Sequence, residues 1–325
     1  PKINEFGGKV KEGEIEITNK GTVSLNGEET TGIYAKRGIV ENKGNISVGK
    51  KSTAIYVVED DRGPTGRQST TASNEAGGII KLGENSTGIY YKVDSAGANT
   101  NEAGGIINAG TIESSSNDVI AMSYDNPHSN SRVFKNESTG LIDLKGQKST
   151  AMYATGGGTY SVTNDGTIKL ANSDNANSPN IGMYTDKSQI TFNNDGTIEG
   201  GNKTVGIYGY SVNLGATSTV KAGEGATGVY SKGGNVNIGG TLTVGTNDAV
   251  SVYYVGSDGA ITNNANTIKI GDKSYGFVIQ GQSNTPSTFT SNTANVKVGN
   301  STVYAYSSDK KRTIYKWDSI NFYWK

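Results

Sequence analysis

The chain has 325 residues, of which 46 are glycine and 5 proline, and only 33% are hydrophobic, so a conventional globule of this size would be short of core. Thirty Lys and Arg balance 30 Asp and Glu, which removes the electrostatic reason to hold nucleic acid or an anionic membrane. With one His and no Cys, disulfides, structural zinc and histidine-based catalysis are set aside.

Disorder is also set aside, because 18 Tyr remain and Val and Ile recur at even spacing. No apolar run approaches the ~18 residues of a membrane span. The chain opens at Pro1, with no Met and no signal peptide, and reads as a processed chain or an excised piece of a longer parent.

The chain is a repeat. After a degenerate first rung over 1–16, the unit opens with Ile17-Thr18-Asn19-Lys20-Gly21-Thr22-Val23-Ser24-Leu25, crosses a short polar stretch and closes on Thr31-Gly32-Ile33-Tyr34. It returns from Val40 to Tyr56, then with Ile80, Leu82 and Gly88-Ile89-Tyr90. A weaker copy holds Gly110-Thr111-Ile112 and Ala121-Met122, and the next holds Ile142, Leu144 and Ala151-Met152-Tyr153. Gly166-Thr167-Ile168-Lys169-Leu170 leads to Gly182-Met183-Tyr184, and Gly196-Thr197-Ile198 to Gly206-Ile207-Tyr208. The last four are marked by Gly228-Val229-Tyr230, Ser251-Val252-Tyr253, Gly276-Phe277-Val278 and Val303-Tyr304-Ala305, making eleven copies. Asn74-Glu75-Ala76-Gly77-Gly78-Ile79-Ile80 recurs verbatim at 101–107, and sequence alone leaves the strand assignment of the second copy open.

Within each unit the apolar period is two, and no 3.6 period is present. Each unit is therefore two or three short strands joined by Gly/Asn turns. One unit cannot bury its own apolar face, but stacked units can. The slot before the aromatic is Gly, Ala or Ser in ten of eleven copies. The next slot is large and apolar, so a crowded corner beside a filled interior is predicted. Asn recurs two residues before the glycine slot at Asn19, Asn42, Asn108, Asn164, Asn194, Asn264 and Asn292, which predicts an amide ladder. Compact copies lie 22 to 25 residues apart, as from Tyr34 to Tyr56 and from Tyr230 to Tyr253. The predicted fold is all-β, a right-handed parallel β-helix solenoid of about eleven rungs over 17–306, with polar inserts at 59–71, 93–100, 123–131, 171–180 and 280–288. The period rules out a hexapeptide helix or a propeller, and calcium-roll nonapeptides are missing.

The recurring Asn-x-Gly-Thr-Ile-x-Leu followed by Ser-Thr-Gly-Ile-Tyr resembles the passenger repeats of large fusobacterial type V autotransporter adhesins. The resemblance covers about 17 to 306. It implies an extracellular passenger on the bacterial cell surface, anchored in the outer membrane through a barrel elsewhere in the parent. It also implies attachment to a host-cell receptor protein, a glycan or another bacterium. The absence of Cys agrees with it. No site motif of that family is matched, so no functional residue is carried over.

An enzymatic alternative is a β-helical polysaccharide lyase or hydrolase, which needs clustered carboxylates. Asp165 and Asp195 share one slot of successive copies, but Asn-Asp-Gly is ordinary turn chemistry. A phage or surface-layer spike is a third reading. Neither catalysis nor a cofactor is expected, and a metal role for His128 is not expected. Partner contact falls to the inserts, because variable polar loops on a rigid scaffold carry binding. The candidates are Asp60, Asp61, Arg62 and Arg67, then Asp125 and His128, then Asp174. Glu59 opens the first insert and is read as part of a solvated loop. Eight Tyr fill one outward slot, either as a structural ladder or as a stripe that stacks on sugars or protein. Residues 307–325 turn basic and aromatic, with Trp317 and Trp324, either as a binding patch or as the cap a solenoid needs.

Overall fold

A computed structural model describes residues 16–59, 70–94, 104–128, 132–282, 286–293 and 295–308. The first coil runs through strands Glu16–Asn19, Thr22–Leu25 and Thr31–Lys36, and the second through Ile39–Asn42, Asn45–Val48 and Thr53–Glu59. Nine more coils complete the rod, ending on Val303–Ser307. Each coil adds one strand to each of three parallel sheets of eleven strands. The chain is thus a right-handed parallel β-helix of eleven rungs. At about 4.8 Å per rung it makes a rod roughly 50 Å long.

The core is a set of vertical columns. Ile33 pairs in register with Ile55, Ile55 with Ile89, Ile89 with Met122, and Met122 with Met152. Met183, Ile207, Val229, Val252 and Phe277 continue the column. From Ile55 to Phe277 every member is fully buried. The preceding slot is small because backbone passes close to it. A Cβ on Gly206 would sit 2.5 Å from the Gly228 carbonyl oxygen and 3.3 Å from Val220. At the turn between the first and second sheets, a Cβ on Gly196 would sit 2.2 Å from the Gly166 oxygen.

The last rung breaks the small-then-large order. Val303 pairs with Tyr275 rather than with Gly276, and Ala305 pairs with Phe277. Tyr304 therefore takes the small slot. Its ring turns inward against Phe277, and its hydroxyl accepts from Asn263 Nδ2 at 3.0 Å and bonds Ser291 Oγ at 2.7 Å. An inward Tyr satisfies a buried amide that a Gly there would leave without this partner.

The amide ladder is present but its membership differs from the expected one. Asn19, Asn42, Asn74, Asn108, Asn136, Asn164 and Asn194 form one column, each Nδ2 donating to the next Oδ1 at 2.7–2.8 Å. Asn194 closes it by donating to Ser218 Oγ at 2.6 Å. Asn264 and Asn292 lie outside it on the exposed surface, where Asn292 donates to Asn264. Their buried neighbours Asn263 and Ser291 hold the inner position. The reason is turn length. Asn164 and Thr167 are separated by two residues, whereas Asn74 to Ile79, Asn136 to Leu141 and Asn263 to Thr267 span longer turns. A fixed spacing misses the first two and lands one residue late on the third.

The repeated heptapeptide takes two different places. Ile79 and Ile80 begin a second-sheet strand, whereas Ile106 and Ile107 sit in a first-sheet strand. The residues downstream of each copy decide its place. Asn108 is needed for the ladder, and Thr111-Ile112 then supplies the second-sheet strand.

Candidate binding face

The rod has three edges, and the inserts do not share them equally. At the edge joining the third sheet to the next rung's first sheet, most turns are short, as from Lys36 to Ile39 or from Gly209 to Ser211. In rungs two, three and four the chain leaves after Glu59, Val93 and Asp125 and returns only at Thr71, Gly105 and Val133. The three strands that launch these excursions are hydrogen-bonded neighbours, so the inserts leave side by side. The insert after Gly281 leaves the same edge in rung ten. The 171–180 insert leaves a different edge, between Leu170 and Ile181.

A buried polar cluster lies at the edge from which the three inserts depart. The Arg132 guanidinium pairs with Glu59 Oε1, and both side chains are almost wholly out of solvent. Tyr91, fully buried, donates to Glu59 Oε2 at 2.6 Å and lies 2.9 Å from the Thr70 carbonyl. Tyr124 packs against Tyr91 and accepts from Asn126 Nδ2 at 3.1 Å. Burial pushes the Tyr91 phenol well above its ordinary range, and the Glu59 carboxylate pushes it the same way. Tyr124 and Tyr160 are raised chiefly by burial. Glu59 is the residue where the first insert departs, Tyr91 precedes the departure of the second, and Arg132 sits where the third returns. The cluster thus ties down the roots of all three.

Glu59 is therefore not part of a solvated loop; it is 7% exposed. Arg132 and Tyr91 were not among the expected site residues. The signal was the doublet Tyr90-Tyr91, because period two sends the first out and the second in.

The expected site residues fall in several places. Asp60, Asp61, Arg62 and Arg67, and Trp317 and Trp324, lie outside the described residues. Asp125 sits on the outer face of the third sheet at the insert edge, beside Lys92 and Thr155. His128 lies beyond it on the same edge, its backbone N–H donating to Asn126 Oδ1 at 2.9 Å. Asp174 belongs to the other edge, where its N–H donates to Gln147 Oε1 at 2.9 Å. Asp165 and Asp195 sit at the third edge, between the first and second sheets, and Lys135 holds Asp165 at 2.8 Å. Among the described residues no three His, Asp or Glu side chains gather to hold a metal ion. No helix there is long and apolar enough to cross a membrane.

The outer face of the third sheet carries the tyrosine ladder. In-register pairing assigns nine Tyr to it, because Tyr306 pairs with Val278 and joins the expected eight. Tyr34, Tyr56 and Tyr90 form one run, with ring centroids 5.3 and 4.9 Å apart. Tyr153, Tyr184, Tyr208, Tyr230 and Tyr253 form a second, with centroids 4.7–5.6 Å apart. Ser123 and Val278 interrupt the column.

A family model described as the BigA third pectate lyase-like domain matches residues 9–212. That span is more than half of the chain and takes in the whole insert edge of rungs two to four. No curated protein and no solved structure matches the chain.

Proposed function

The chain belongs to the family of the BigA third pectate lyase-like domain, and on that premise we propose that it is an extracellular adhesive segment of a bacterial surface protein. In this reading a stiff rod presents a binding edge to a host cell or another bacterium. The resemblance of the repeats to fusobacterial autotransporter passengers supports a parent secreted by the type V route. The observation that carries the reading is the side-by-side departure of three inserts from consecutive rungs over one buried anchor. Rung positions keep a narrow residue menu that packing explains, while the inserts escape it.

The enzymatic alternative draws on the lyase-like fold alone. The paired carboxylates it would use, Asp165 and Asp195, stand on another edge from the insert cluster, and Asp165 is already engaged by Lys135. The test is adhesion of cells displaying the full chain, beside product release from polysaccharides. The adhesive reading expects displayed chains to confer attachment and the Asp165→Ala/Asp195→Ala double variant to leave it intact. Glycan cleavage abolished by that double variant, with no attachment conferred, would replace it with the enzymatic one.

A further inference from the structure

The interruption of the tyrosine ladder at rung four is a gap of defined size. Tyr90 and Tyr153 occupy the same outward slot on either side of Ser123. Neighbouring rungs are about 4.8 Å apart, so these two strands stand about 9.6 Å apart. Elsewhere that interval holds a third ring, as Tyr208 stands between Tyr184 and Tyr230. No ring contact bridges Tyr90 and Tyr153 among the described residues. Ser123 stands between them and is 6% exposed. The other interruption is different, because the branched side chain of Val278 stands in it.

Tyr56, Tyr184, Tyr208 and Tyr230 each have a neighbouring ring on both sides. Tyr90 and Tyr153 each stack on a ring on one side only, Tyr56 and Tyr184 respectively, and have no ring partner toward Ser123. An aromatic face is electron-rich and attracts groups with positive edges, including polarised C–H bonds. A pyranose ring presents such C–H groups on both faces. Its axial hydrogens make it thicker than an aromatic ring, which suits a two-rung gap.

The rim supplies polar partners. Ser123 and Asp125 lie two residues apart on one strand and face the same side. Neither the Ser123 hydroxyl nor the Asp125 carboxylate makes a hydrogen bond or ion pair among the described residues, whereas the adjacent Lys92 is paired to Asp94 at 2.9 Å. Asp125 is close enough to Tyr90 to push its phenol upward, after the larger effect of burial. An unpartnered hydroxyl and carboxylate beside two rings that lack a ring partner between them match a polyhydroxylated ring better than an apolar side chain.

We infer that the gap at Ser123 is a sugar slot: one pyranose ring of a glycan stacks between Tyr90 and Tyr153, with Ser123 and Asp125 bonding its hydroxyls. This rests on the adhesive reading above and names its ligand class. The slot adjoins the edge from which the three inserts depart.

The decisive variant is Ser123→Tyr. It continues the ladder with the residue that fills the slot in nine other rungs, so the fold is kept and thermal stability should rise. Purified full chain and variants are read against an array of immobilised hexopyranose oligosaccharides, and displayed chains are read for cell attachment. The wild type should retain a subset of glycans. Ser123→Tyr should lose them at least tenfold, and Asp125→Asn should weaken them several-fold without changing thermal stability. Retention of glycans equally by wild type and Ser123→Tyr would overturn the slot, as would an array that holds no glycan while displayed cells still attach. In both cases the adhesive reading stands: the first moves glycan binding to another part of the chain, and the second makes a protein partner the ligand. Displayed cells that attach to nothing would overturn the adhesive reading instead.

Discussion

Asn136→Ala cuts the amide ladder at its middle. Asn136 is fully buried, accepts from Asn108 Nδ2 at 2.8 Å and donates to Asn164 Oδ1 at 2.7 Å. Truncation leaves the Asn164 acceptor without its ladder donor, at a cost of about 1–3 kcal/mol for a buried orphan. The Asn108 amide keeps its bond to the Gly110 carbonyl but loses the ladder bond, worth about 0.5–1.5 kcal/mol. The expected destabilisation is therefore about 3 kcal/mol. Two controls bound it. Asn264→Ala removes an amide from the exposed pair with Asn292 and should cost less than about 0.5 kcal/mol. Asn194→Leu extends the apolar stretch that Leu214 and Ile238 already form in this column and should cost about 1 kcal/mol, because the Asn164 amide loses its ladder bond but keeps the Gly166 carbonyl. Urea denaturation followed by circular dichroism measures all three. Hydrogen exchange should localise the first loss to the rungs of Asn108, Asn136 and Asn164. If Asn136→Ala and Asn264→Ala were equally stable, the ladder would be a consequence of stacking and not a contributor to it.

Three further outcomes are expected. Ile168→Asp would place a charge where the side chain is fully buried between Ile142 and Ile198, and should abolish protease resistance in neighbouring rungs as well as its own. Arg132→Met should destabilise by about 3–5 kcal/mol by taking the guanidinium away from the buried Glu59 carboxylate, while Arg132→Met/Glu59→Leu should recover most of that loss on denaturant titration. The raised phenols of Tyr91, Tyr124 and Tyr160 ionise more readily unfolded than folded. The stability they contribute is fully present below pH 10 and is lost as the pH rises above it. An alkaline titration should therefore show these phenols ionising together with loss of the circular dichroism signal, not before it.

The fold was legible because one rule is written eleven times. A single Gly-Ile-Tyr says little, but Ile33, Ile55, Ile89, Met183 and Ile207 recurring in one register specify a column. Positions that depend on turn length were less legible. Asn74 and Asn136 escaped, and Asn264 and Asn292 were misplaced, because the ladder needs only that the amides stack and tolerates extra residues in the turn. Val303 was aligned one residue early because Tyr304 turns inward to meet Asn263. The binding edge was half legible. The inserts are visible as breaks in the period, and Asp125 and His128 fall on the edge. Which inserts share an edge depends on which strand precedes each one, and that separates Asp174 from the rest. The Glu59–Arg132 pair joins rung two to the start of rung five, a separation that no local pattern encodes.

Attachment of cells displaying the full chain, compared between two sets of shortened inserts, tests the binding edge most directly. One set replaces residues 60–69, 95–103 and 129–131 with compact turns and keeps Glu59, Tyr91 and Arg132, so the anchor survives; loop-length changes of this kind cost little stability. The other set shortens 171–180 on its separate edge. The first set should lose most attachment with circular dichroism unchanged, and the second should attach like the wild type. Equal attachment by both sets, or loss confined to the second, would contradict the assignment of binding to the edge above Glu59 and Arg132.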